Sequence, residues 1–343
     1  MLTRLKTTIK TRLSDLLIRL LQEQDVKNWL DVHRNPNSAF CDELSNAPSP
    51  YPDLEYQDKQ SNQKPIIITS RFRSGSTLLW NVFRQSGLCT AYYEPFNERK
   101  WFAASSRGEF VDNTHRGVKD YWEEFSGLSF LEQYYQDHWI DTNLLMTPAH
   151  YDAKMKAYID ALIDVAAKRP VMQFNRIDFR LPWLRANYPQ AKYVHLYRHP
   201  RDQWCSFLTN PDSMSADTIE TTYEDNFYLN SWCDDLQTYF PFLNRSVTPH
   251  PYQRFYFLWK LSYLFGKKYC DTSISYEALT SNPKETIALL FTALDMQPEN
   301  LDELADIISS PAAGRWKKYA DDKWFADHEE KCERILSGWL SNV

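Results

Sequence analysis

The sequence predicts an α/β protein: a three-layer sandwich in which helices cover both faces of a central parallel sheet. Three observations point there. Apolar runs of strand length recur at "PIIITS" (65–70), "CTAYY" (89–93), "VMQFN" (171–175), "KYVHLY" (192–197) and "TSISY" (272–276). Segments with helical periodicity, such as 152–168 and 283–294, separate or follow them. Several runs are apolar almost throughout, which suits strands covered on both faces rather than a sheet with one wet side.

Taken in order, the first two dozen residues put Leu5, Ile9, Leu13, Leu16, Leu17 and Leu20 on one helical stripe, with Arg and Lys opposite. Charges interrupt every apolar run, so this is not a signal peptide, and no stretch of the chain reaches the roughly 18 apolar residues of a spanning helix. Residues 1–24 are expected to pack on the body, to self-associate, or to lie on a membrane surface. Residues 34–64, rich in Pro, Asn, Ser, Asp and Gln, read as a surface connection, so 1–64 precede one large domain over 65–343. Two long inserts, near 96–150 and 207–252, decorate that domain.

Composition narrows the function. A formal charge of -6 argues against a general nucleic-acid binder, so any basic site must be local. The six cysteines form no C-x-x-C pair or Cys/His cluster, which points away from structural zinc and from a disulfide framework, and toward a reduced, cytoplasmic compartment. In open parallel sheets ligands bind outside the carboxyl ends of the strands. The residues found there are Arg71 and Arg73, Glu94, Arg176, Arg198 and Glu277.

The first of these ends is "SRFRSGSTLL" (70–79). A helix starting near Ser76 leaves its first N–H groups unpaired, and Gly75 lets the backbone approach an anion closely. Ser74, Ser76 and Thr77 add hydroxyls, and the set suits a phosphate or a sulfate. It is not the G-x-x-x-x-G-K-[ST] loop of ordinary nucleotide hydrolases, since it has one glycine and no following lysine. Alone, it reads equally well as a plain capped helix with two surface arginines.

"SRFRSGSTLLWNVFRQSGL…YYEPFNE", followed by "PQAKYVHLYRHPRDQWCSF", resembles the sulfotransferase superfamily, enzymes that use 3′-phosphoadenosine 5′-phosphosulfate. "RSGS" with a later "EPF" looks closest to the carbohydrate and tyrosylprotein branches, which carry arginine where the phenol branch has lysine. The resemblance covers about 65–100, 170–210 and 270–320, and implies a P-loop NTPase-like fold and no metal. By it, Arg73, Ser74, Gly75, Ser76, Thr77 and Leu78 bind the 5′-phosphosulfate, with Arg73 as catalytic cation. Glu94 is implied as the base that takes the acceptor's hydroxyl proton, and Arg176 as a second catalytic cation. Arg198 and Ser206 match the 3′-phosphate site, while Arg201 is equally placed to face outward. Tyr276, in "SISYEALTSNP", would stack on or edge the adenine, and Arg315 and Lys317, in "AGRWKKY", would close over the donor. The longer R-K-G-x-x-G pattern of the phenol branch is absent, which leaves these closing contacts open.

The phenol branch uses a histidine as base. His115, His138 and His150 lie in the first insert but follow no matching motif. Trp101, Trp122 and Tyr121 offer stacking faces for a carbohydrate or other small acceptor. Two other readings are an ATP-dependent kinase, which needs a loop lysine and a Mg²⁺ carboxylate, and a non-catalytic nucleotide-binding protein, which has no use for a base.

Overall fold

The computed structural model describes residues 64–341, apart from 113, 114, 116, 209, 211 and 309–313. The expectations for 1–24 and, Lys64 excepted, for 34–64 lie outside the described residues. In order, the chain forms β1 (Ile66–Ser70), α1 (Ser76–Gln85), β2 (Cys89–Tyr93), α2 (Ala153–Val165), β3 (Arg169–Phe174), α3 (Leu181–Asn187), β4 (Lys192–Tyr197) and α4 (Pro200–Phe207). There follow α5 (Ile219–Thr222), α6 (Leu229–Leu236), α7 (Pro251–Tyr269), β5 (Thr272–Ser275), α8 (Tyr276–Ser281), α9 (Pro283–Ala293), α10 (Leu301–Asp306) and α11 (Asp322–Leu340). Each apolar run is a strand, and the two periodic segments hold α2 and α9.

Among the described residues the strands form one five-stranded sheet in the order β2-β3-β1-β4-β5, every neighbouring pair parallel. With helices around it, this is the expected three-layer α/β arrangement. The chain leaves β1 for the outer strand β2, returns through β3 to β1's side, then crosses to β4 on the other side. The winding therefore reverses at β1, and the strand ends open a crevice there. Two buried apolar clusters hold the structure. One joins the strands to α1, α2 and α9, and the other joins α4, α6, α7 and α11 through Trp204, Trp232, Phe257 and Phe325.

Local chemistry sets the helix starts. Asp152 caps α2 by accepting from Met155 N–H at 2.8 Å, and Asp321 caps α11 by accepting from Trp324 N–H at 2.7 Å. Pro200 stands in the first turn of α4, where its missing N–H costs nothing.

The seam between β4 and α7 depends on a glycine. His195 of β4 is buried, its Nδ1 lies 2.8 Å from Ser273 Oγ, and a Cβ at Gly266 would fall 2.4 Å from its ring. Burial, helped by Lys267, depresses the imidazole pKa from 6.5 to about 4. The folded state thus resists a proton that the unfolded chain accepts, so this stability is present above about pH 6.5 and is lost as pH falls toward 4. Relative to His195→Gln, the wild type is expected to lose about 2 kcal/mol more stability between pH 7.5 and 5. Urea denaturation of both proteins at the two pH values measures this.

Candidate active site

The turn after β1 divides its two arginines. Arg71 is buried, 3.7 Å from Asp178 and stacked 4.5 Å from the Trp232 ring, so it belongs to the core. Asp178 in turn accepts from Thr69 Oγ1 at 2.6 Å, which closes the underside of the turn. Arg73 takes the left-handed conformation, φ 64°, and emerges on the opposite side. A non-glycine residue held there carries about 1–3 kcal/mol of strain, which the surrounding contacts must hold in place.

Gly75 follows with φ 92° and is the N-cap of α1. It has no side chain to accept from the helix's first N–H groups, and the first turn contains no acidic residue. Those N–H groups, with the positive end of the helix, are free to meet an anion. A Cβ at Gly75 would lie 2.3 Å from Tyr276 Cδ2, so only glycine admits that ring beside the turn.

The turn after β4 grips the first one. Arg198 Nη1 donates to the Arg73 carbonyl at 3.1 Å, while Arg73 Nε donates to Ser206 O at 3.0 Å and to Ser206 Oγ at 3.2 Å. Trp259 Nε1 holds the Arg198 carbonyl at 3.0 Å. Arg198 is 8% exposed, and among the described residues its Nε has no partner and no carboxylate pairs with it. Burial pulls its pKa down, against the pull of Tyr276, Asp202 and Glu277. A buried guanidinium with N–H groups unspent is suited to an external anion.

The third strand end holds a buried charge network. Glu94, φ 38°, accepts from Asn175 Nδ2 at 2.6 Å through Oε1, and from Arg176 Nη1 at 2.7 Å and Asn97 Nδ2 at 2.9 Å through Oε2. Arg176 also donates through Nη2 to Glu98 Oε2 at 2.6 Å. Burial alone would lower the Arg176 pKa, but Glu94 and Glu98 outweigh it and keep the cation charged. Gln173 and Ser70 both bond Asn175 Oδ1, at 2.9 and 3.2 Å, which turns the amide nitrogen toward Glu94.

These groups line one pocket of about 730 Å³: Arg73, Gly75, Ser76, Thr77, Leu78, Glu94, Arg176, Arg198, Ser206, Tyr276 and Arg315. Two of the expected binding residues do not. Ser74 is buried and donates its hydroxyl to Arg71 O at 2.7 Å, tightening the turn from beneath. The Lys317 ammonium sits 5.6 Å from the Trp316 ring. Arg201 faces away from the pocket, making a two-pronged contact with Glu329 at 2.9 and 2.8 Å that ties α4 to α11.

Residues 65–300 match the sequence model of the Sulfotransferase family, more than half of the chain and all of the strand ends just described. The chain belongs to the sulfotransferase family. Its chemistry is accordingly that of an enzyme transferring a sulfuryl group. Among solved structures, the sulfotransferase domain from the curacin biosynthetic pathway is 16% identical, with 81% of this chain and 98% of that one covered and a TM-score of 0.39. A sulfotransferase from Alicyclobacillus acidocaldarius is 14% identical, covering 81% and 96%, with a TM-score of 0.37. Mouse sulfotransferase SULT7A1, complexed with PAP, is 12% identical, covering 78% and 82%, with a TM-score of 0.35. No curated protein sequence is a significant match.

The aromatic residues expected to hold an acceptor in this sulfotransferase serve the core instead. Trp101 and Tyr121 are buried, Tyr121 stacks 4.7 Å from Tyr93, and Trp122 packs 6.2 Å from Trp101. Their place in the pocket is taken by Phe72, Phe227 and Tyr228, with Asn97, Glu98 and Asn175 as polar neighbours. No motif marks Phe227 or Tyr228, which come from the second insert. Asn175 was legible as the residue ending its run. Of the histidines in the first insert, His115 lines the pocket, its Nδ1 2.5 Å from Tyr121 OH. His150 Nδ1 instead accepts from Thr147 N–H at 2.9 Å, outside the pocket lining.

Gly75→Ala is expected to cost about 1–3 kcal/mol, from the clash with Tyr276 together with the positive φ. The cost should shrink, without vanishing, in a Tyr276→Ala background, because the ring is gone and the backbone strain remains. A double-mutant cycle by urea denaturation measures both parts.

Proposed function

We propose that this protein transfers a sulfuryl group from 3′-phosphoadenosine 5′-phosphosulfate to a hydroxyl of a carbohydrate or other small acceptor. One observation carries the reading: two anion-binding turns, those of Arg73 and of Arg198, are joined at 3.1 Å and share one pocket with a carboxylate. The residues present fit such a donor. The N-terminus of α1 lies at one turn, and the buried Arg198 with its unpartnered Nε lies at the other. Both turns line one pocket of about 730 Å³, within the size of ordinary small-molecule sites.

Bound there, the donor supplies an activated sulfuryl group. The N–H groups of α1's first turn, with the Ser76 and Thr77 hydroxyls, hold its 5′ end, although the Thr77 hydroxyl also shares 2.8 Å with Tyr93 OH. Arg198 and Ser206 hold the 3′-phosphate, and Arg315 adds positive charge at that end. Arg73 places a guanidinium where negative charge develops on the leaving oxygen, which stabilises the transition state more than the ground state. Glu94 takes the acceptor's proton. Oε2 is spent on Arg176 and Asn97, so we assign the proton to Oε1, which accepts from Asn175 Nδ2. Arg176 bridges Glu94 and Glu98 and fixes the orientation of the Glu94 carboxylate. Arginine at 73 and the acidic residue after β2 favour the carbohydrate and tyrosylprotein branches over the phenol branch.

His115 supports a second reading of the base. Burial and Arg73 depress its pKa, against Asp112, so its imidazole is neutral at physiological pH. Glu94→Gln and His115→Gln separate the two, because only the true base loses its pH-dependent limb.

We assign residues 65–343 to one catalytic domain. Among the described residues no helix is long and apolar enough to cross a membrane, and Cys89, Cys205, Cys233, Cys270 and Cys332 are free thiols. Free thiols favour a reduced compartment, and a cytoplasmic location goes with the proposal.

Calorimetry is expected to show binding of 3′-phosphoadenosine 5′-phosphate in preference to ATP; preference for ATP would overturn the reading. With labelled donor and an acceptor panel, Arg73→Ala should lower turnover about 100- to 1,000-fold. Glu94→Gln should lower it about 100-fold or more with donor affinity preserved. Unchanged turnover removes the residue concerned from its role.

A further inference from the structure

We propose that Tyr276 is a positioning residue: it acts on the donor through Arg198, by holding that guanidinium open toward the pocket, and not by stacking on the adenine. The proposal rests on the donor assignment above.

Arg198 is in an unusual state. It is buried, and among the described residues its Nε has no partner and its guanidinium's hydrogen bond to the protein runs from Nη1 to the Arg73 carbonyl. What covers its face is the Tyr276 ring, 4.6 Å from the guanidinium carbon. A desolvated guanidinium over an aromatic face is held in one plane, with its N–H groups directed outward around the rim. The ring in turn has little room to move, because its edge fills the space at Gly75 where a Cβ would stand. Tyr276 is thus wedged between the two anion-binding turns, touching both.

A nearby carboxylate shows what the wedge prevents. Asp202, in the first turn of α4, accepts from Gly314 N–H at 3.2 Å through Oδ2, while its Oδ1 is buried with no partner among the described residues. Asp202 also acts electrostatically on Arg198. An orphaned carboxylate oxygen and an unpaired guanidinium only four residues apart, either side of the turn into α4, would be expected to close into an ion pair. They do not, and the Tyr276 face is what occupies the guanidinium instead. Remove the ring and Arg198 is free to collapse onto Asp202, which spends its charge before any 3′-phosphate arrives.

The two roles for Tyr276 give opposite signatures in binding. A ring that touches adenine affects every adenine nucleotide alike. A ring that acts through Arg198 affects only nucleotides with a 3′-phosphate, and only while Arg198 is present. Calorimetry with 3′-phosphoadenosine 5′-phosphate and with adenosine 5′-monophosphate is therefore run on the full chain, on Tyr276→Leu, on Arg198→Ala and on the double variant. Tyr276→Leu is expected to weaken the first ligand about tenfold while changing the second less than twofold. In the Arg198→Ala background, Tyr276→Leu should have no further effect on either ligand. Adding Asp202→Asn to Tyr276→Leu should restore most of the lost affinity.

Tyr276→Phe keeps the ring and should bind as the wild type does, which also covers the case in which Tyr276→Leu folds poorly: a tenfold loss in the Phe variant overturns the proposal. Equal losses for both nucleotides, or additive losses in the double variant, overturn it as well and return Tyr276 to the adenine. Failure of the wild type to bind 3′-phosphoadenosine 5′-phosphate at all would overturn the donor assignment itself, a result distinct from either.

Discussion

The Arg198 guanidinium donating to the Arg73 carbonyl is the contact on which the rest of the site depends. It is available because β1 pairs in parallel with β4 in the register Ser70↔Leu196, so the two chains leave the sheet side by side and in the same direction. The reciprocal contact, from Arg73 Nε to Ser206, ties the first turn to α4. Two loops that are each strained or poorly paired alone become one rigid, positively charged floor. A parallel sheet with its winding reversed at β1 makes this possible, since it gathers the ends of β1, β3 and β4 without helices between them.

Charge is distributed so that burial and function do not conflict. Arg71 and Arg176 are buried with carboxylates, Asp178 for one and Glu94 and Glu98 for the other, and both are backed by aromatic faces. Among the described residues, Arg198 alone of the buried arginines at the strand ends is left without a carboxylate. Leaving a desolvated cation unpaired is costly, and under the proposed function the incoming donor's phosphate offsets that cost. The left-handed backbone at Arg73, Glu94 and Tyr228 belongs to the same pattern. Three non-glycine residues with positive φ meet at one pocket, where the packing around them is dense enough to hold them there.

The inserts do structural work as well as lining the pocket. The first carries Trp101, Tyr121 and Trp139 into the core beside α1 and α2, and the second brings α6 against α7. Residues Phe227 and Tyr228, at the turn into α6, reach the pocket over Phe72, with ring centroids 5.7 and 6.0 Å away. That part of the pocket is therefore walled by aromatic rings from one insert and by the polar side chains Asn97 and Glu98 from the other.

The sequence by itself determined the strands, their order along the chain, and the residues at their carboxyl ends. Those are local consequences of apolar run length, of a glycine before a helix and of a proline in a first turn, and each is readable within a few residues. Local pattern left Arg71 and Arg73 side by side, and only the family resemblance singled out Arg73; nor could the sequence tell that Ser74 braces the turn from beneath while Ser76 faces the pocket, because one peptide's rotation decides which side a residue takes. Nor could it show that Glu94 is shared with an arginine 82 positions away, or that Tyr276 stands between two turns far from it in the chain. Those facts depend on strand order and on the long-range packing of side chains, which have no period and no local signature, and only the tertiary structure decided them.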